Sequence, residues 1–128
     1  MPVDVSWYDE KACIVWIQFS GRWTIAEFRS AIPDIYALIE SKTSRVDTIV
    51  DLTNATAIPR DVITSLRGST LRAPDNWQSG VIIGAGRFVD ALLTAFRAVY
   101  PKVVERYQVA KTHEDAIEMI NKLREDNS

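Results

Sequence analysis

From residue 46 onward, short β-type apolar runs alternate with amphipathic helical stretches, and this alternation limits the folds open to the chain. Val46 to Leu52, Val81-Ile82-Ile83-Gly84 and Val103 to Ala110 read as strands. Ile58-Pro59 opens a helical stretch that ends near Arg72, with a thin apolar set of Val62, Ile63, Leu66 and Leu71. Phe88 to Tyr100 carries a wide apolar face, and Thr112 caps a last helix bearing Ala116, Ile117, Ile120 and Leu123. Strands separated by helices cannot pair as hairpins. They imply a largely parallel sheet with helices packed on it.

The first third of the chain adds an antiparallel start. Val3, Val5 and Trp7 alternate with Asp4, Ser6 and Tyr8, while Ala12 to Phe19 is apolar on both faces. Asp9-Glu10-Lys11 between them is short enough for a hairpin turn. Gly21 ends the second strand, and Thr24-Ile25-Ala26-Glu27 has the form of a capping box. Ile25, Phe28, Ile32, Ile35 and Ile39 then make one helical stripe. Pro33 lies within it and predicts a kink, or a helix in two pieces. The expected fold is a single α/β domain over residues 1–124, in the order ββαβαβαβα, followed by a polar tail at 125–128.

Composition narrows the partners. The 128 residues carry a net charge of −2 with acids and bases interspersed, so the basic stripe of a nucleic-acid binder is missing. No apolar run approaches the ~20 residues needed to span a bilayer. Met1-Pro2-Val3-Asp4 has neither the basic nor the apolar segment of a signal peptide. The single cysteine, Cys13, fits a reducing compartment, and a cytoplasmic protein is expected. With only one histidine, His113, no histidine-based metal cluster can form within one chain, and no cofactor is expected.

Three segments carry a family likeness: Phe19-Ser20-Gly21-Arg22-Trp23-Thr24 at the opening of the first helix, Thr48-Ile49-Val50-Asp51-Leu52-Thr53 in the third strand, and Val109-Ala110-Lys111-Thr112-His113-Glu114-Asp115-Ala116 before the last helix. With the element order, they resemble the STAS domain, and within it the SpoIIAA-like bacterial branch. The resemblance implies a regulatory or binding module rather than an enzyme. Antagonists of that family open their second helix with Asp-Ser-Ser-Gly and are phosphorylated on a serine there. Here the matching stretch is Pro59-Arg60-Asp61-Val62. The acceptor position falls on or beside Asp61, so the phosphorylation switch does not carry over.

In an open α/β sheet, ligands bind outside the carboxyl ends of the parallel strands. Those ends supply Asp51, Thr53 and Asn54, and then Gly84, Gly86 and Arg87. The glycines could bring backbone amides to an anion, with Arg87 adding a bidentate contact, or they could simply make a tight turn. Asp51 could be a functional carboxylate or a cap on the Thr53 and Asn54 amides. His113, in the first turn of the last helix, is expected to be solvated. Ser20, Ser65 and Ser69 have no identifiable base, and Glu114, Asp115 and Glu118 read as a solvated helix face. Trp7 and Trp16 read as core. Trp23 and Trp77, near helix starts or loops, either pack into the core or, with Arg60 and Asp61, form a partner surface, and packing is the first expectation. Two expectations follow: a non-enzymatic module acting through a protein or a small ligand, or a carrier or enzyme for an anionic or lipid-like molecule at the carboxyl edge. A homodimer through the opening strand or the aromatic surface is a third arrangement.

Overall fold

The computed structural model describes residues 2–59, 73–84 and 86–126. In chain order these form β1 (Val3–Asp9), β2 (Ile14–Gly21), α1 (Ile25–Glu40), β3 (Val46–Ala55), β4 (Trp77–Ile83), α2 (Gly86–Val99), α3 (Pro101–Val104), β5 (Tyr107–Ala110) and α4 (His113–Asp126). The fold is α/β, with a five-stranded sheet in the order β1-β2-β3-β4-β5. β1 runs antiparallel to β2, and every later pair is parallel. Arg60 to Arg72, which holds most of the expected second helix, lies outside the described residues.

The topology sorts the helices by face. The crossovers β2–α1–β3 and β4–α2–β5 advance in the same direction across the sheet. Right-handed connections therefore put α1 and α2 on one face. There they cover Val15, Ile17, Phe19, Val50, Leu52 and Ile82 in the larger core. No described strand follows α4, so it is free to pack on the opposite face. Its Ala116 and Ile120 bury against Ile14, Ile49, Val81 and Ile83. Each fully buried side chain of this size contributes about 1.5–3 kcal/mol.

Local chemistry sets the ends of these elements. The Thr24 hydroxyl accepts from the Glu27 amide, and the Glu27 carboxylate accepts from the Thr24 amide, so the capping box closes. α1 then runs through Pro33 as one helix. Pro33 is exposed and costs the ladder a single amide donor, whereas Ile25, Ile35 and Ile39 are buried on the other side. At the far end, the Asn76 side-chain amide donates to the Ile39, Lys42 and Ser44 carbonyls, tying the end of α1 to the start of β4.

Some boundaries differ from the sequence reading. Ala12 and Cys13 belong to the β1–β2 turn, where Cys13 adopts a left-handed φ of 57°. β3 runs three residues past Leu52 to Ala55. β4 begins at Trp77, four residues before the expected strand at Val81. Pro101 ends α2 but also opens α3, so β5 is left with only four residues. α4 continues into the expected tail as far as Asp126, held by Arg124. Arg124 donates to the fully buried Asp47 carboxylate at 2.8 Å and to the Ala12 and Cys13 carbonyls.

Candidate functional site

The carboxyl edge carries a compact polar cluster around Asp51. This carboxylate is 5% exposed and accepts from the Thr53 amide at 2.9 Å and the Trp16 indole at 3.0 Å. The Thr53 side chain bonds it as well, and His113 Nε2 lies 3.1 Å from Oδ2. Burial alone would raise the Asp51 pKa. The Thr53 side chain and amide, the Trp16 indole and the His113 charge together outweigh it, and the pKa sits below its ordinary value. Asp51 is thus both the expected cap and the anchor of a larger cluster.

His113 departs from expectation. It is a partner of Asp51 rather than a solvated residue, with its ring stacked on Tyr8 at 5.6 Å and edge-on to Trp16 at 5.7 Å. The contact also fastens the first turn of α4 to the sheet. No short motif announces this pairing, because β5 and α4 must be in place before the two residues meet.

The remaining carboxyl-edge candidates do not converge on Asp51. Gly84 has a φ of 154°, and a Cβ there would stand 2.7 Å from Leu52 Cβ, so the turn needs glycine for close packing against β3. Gly86 begins α2, and Asn54 is exposed. Arg87 lies over the Phe88 ring, 4.8 Å from its centroid, and forms no ion pair with Asp51. Arg60 and Asp61 lie outside the described residues. Trp23 and Trp77 are each 3% exposed, so neither presents a partner surface. Trp23 packs on Phe19 and Phe28, and Trp77 on Tyr107. Among the described residues, no group of three or more His, Cys, Asp or Glu side chains is placed to hold a metal ion. No helix among them is long and apolar enough to cross a membrane.

A second feature lies on the other face, between α1, α2 and the sheet. A cavity of about 140 Å³ opens there. It is comparable with the ~150 Å³ engineered apolar cavity that stays dry and takes up benzene. Its walls come from the α1 stripe (Phe28, Ile32, Ile35), the α2 stripe (Leu92, Leu93, Phe96) and the sheet (Ile17, Val50, Ile82). None of its described lining residues is charged. Polar groups enter at one end through Tyr36, Thr48, Tyr100 and Tyr107. The sequence reading assigned the α1 and α2 stripes to core packing and missed the space between them.

No family model, curated protein or solved structure matches the chain.

Proposed function

We propose that this chain is a non-enzymatic, STAS-like binding module whose ligand is a small apolar molecule held between α1, α2 and the sheet. The observation that carries this reading is the cavity itself. It is apolar, large enough for a benzene-sized guest, and bounded among the described residues by α1, α2, α3, the sheet and Ala73-Pro74. An antiparallel start followed by parallel crossovers supports the STAS-like part of the reading.

The carboxyl-edge alternative, an anion carrier or enzyme built on Asp51 and Arg87, has less support. Asp51 is already engaged by Trp16, Thr53 and His113, and Arg87 is turned onto Phe88. A protein partner in place of a small ligand would leave the cavity without a role.

Thermal unfolding in the presence of toluene tests the proposal. Ligand at ten times its Kd adds about 1.4 kcal/mol to the folded state, which is a rise of about 5 °C in Tm for a chain of this size. The rise should vanish in Leu93→Trp, where the larger ring fills the cavity. An equal rise in both proteins, or none in either, would remove the cavity as a binding site.

A further inference from the structure

Tyr36, Thr48, Tyr100 and Tyr107 gather at one end of the cavity and the register shows which end, while the Trp23 indole N–H, buried without a hydrogen-bond partner, lies in the lining toward the other. Thr48 of β3 pairs with Gly80 of β4, and Gly80 pairs with Tyr107 of β5. These three residues form one row near the start of the parallel strands. α1 and α2 both run back from the carboxyl edge, so Tyr36 and Tyr100, near their ends, come down to that same row. Phe28, Phe96 and Trp23 lie further toward the carboxyl edge. A ladder of ring contacts links them: Trp23 to Phe28 at 6.3 Å, Phe28 to Phe96 at 5.9 Å and Phe96 to Tyr100 at 6.1 Å.

Within the polar row, the hydrogen bonds have a direction. An indole can only donate, and Trp77 Nε1 donates to Thr48 Oγ1 at 3.2 Å. The Thr48 hydroxyl then has its single proton to give, and its side chain hydrogen-bonds the Tyr107 phenol. With that bond oriented from Thr48 to Tyr107, the phenol proton is left for a ligand. Gly80 makes this possible, since a Cβ there would overlap the Tyr107 ring where it crosses β4 toward Thr48. A shift in the β3–β4 register between Val46 and Asp47 brings Trp77 onto the same face as Thr48.

We infer that the cavity selects an uncharged ligand with one carbonyl or hydroxyl oxygen, which accepts from the Tyr107 phenol while the hydrocarbon body lies along Phe96 and Phe28. The inference rests on the cavity being a ligand site, as proposed above. A carboxylate head group is disfavoured because no described lining residue supplies a positive charge. The Glu40 carboxylate, one turn beyond Tyr36, adds negative potential at the polar end, opposed by the Arg106 guanidinium over the outer Trp77 ring. Burial raises the pKa of both phenols, with Tyr100 and Glu40 adding to the effect at Tyr36. At Tyr107, Thr48 partly opposes it and Tyr36 adds to it. Both phenols therefore remain protonated donors at neutral pH.

Calorimetric titration with toluene, acetophenone and benzoate at pH 7 tests the inference. The three have nearly the same volume and differ in the head group. One net hydrogen bond is worth about fivefold in affinity, so acetophenone should bind about fivefold tighter than toluene. Benzoate should bind at least about tenfold more weakly than acetophenone, because its charge is buried unpaired. Tyr107→Phe should reduce acetophenone to the level of toluene while toluene binding is retained, which also shows that the variant is folded. Tyr36→Phe, which leaves the relay intact, should keep most of the ketone preference. Benzoate binding as tightly as acetophenone, or an unchanged ketone preference in Tyr107→Phe, would overturn the inference and leave the cavity as a site. Failure of all three compounds to bind would overturn the cavity reading and this inference with it.

Discussion

Asp47 and Asp51 stand four residues apart on one face of β3, and both are buried. Asp47 is clamped by Arg45, Arg124 and Ser79, so it locks the last helix onto the amino end of the sheet. Asp51 gathers Trp16, Thr53 and His113 at the other end. Because the folded pKa of Asp51 is depressed, its contribution to stability is complete above the ordinary carboxylate value near 3.8 and is lost as the pH falls through the folded value. Asp51→Asn should therefore cost about 2 kcal/mol at pH 7. The gap from wild type should narrow below about pH 4 in urea unfolding curves. A gap of the same size at pH 3 would show that the carboxylate charge is not what stabilises the cluster. The capping contact between Asp51 and Thr53 was legible in the sequence because it is local. The contact with His113 was not, since it depends on how β5 hands the chain to α4.

At the scale of elements, alternation and capping carried most of the information. The Thr24 capping box, the α1 stripe and the antiparallel start are all present as the residues imply. The misplaced boundaries share a physical cause. Trp77-Gln78-Ser79-Gly80 contains too little apolar sequence to announce a strand, yet it pairs with β3 because Asp47 receives the Ser79 amide and hydroxyl. Val103 and Val104 read as the start of the last strand, but Pro101 suits a first helical turn and draws them into α3. Pro33 shows the opposite balance: buried isoleucines on one face of α1 outweigh one missing amide on the exposed face. Pro33→Ala should accordingly stabilise the protein by about 1–3 kcal/mol, measured as a higher urea midpoint with an unchanged slope. A destabilised variant would mean that the proline conformation is part of the helix packing.

For the whole molecule, the fold class and the largely parallel sheet with its antiparallel start followed from the chain's alternation, whereas the best-supported site did not. The carboxyl edge was the reasonable expectation for an open α/β sheet, and a polar cluster does lie there. The cavity arises instead from the spacing of two helices that cross the same face of the sheet. No residue or short motif encodes that distance; it follows from how Phe28, Ile32, Leu92 and Phe96 fit against Val50 and Ile82. The same stripes that give the core its apolar surface leave a gap, and the polar end of that gap sits where β3, β4 and β5 align Thr48, Gly80 and Tyr107.

The most direct test of the central claim is a toluene titration followed by amide and methyl chemical shifts in the intact protein. Changes centred on Ile82, Leu92, Leu93 and Phe96, saturating with a single Kd, are the expected result. Changes centred on Asp51, Thr53 and His113, or none that saturate, would contradict the assignment of the cavity as the ligand site.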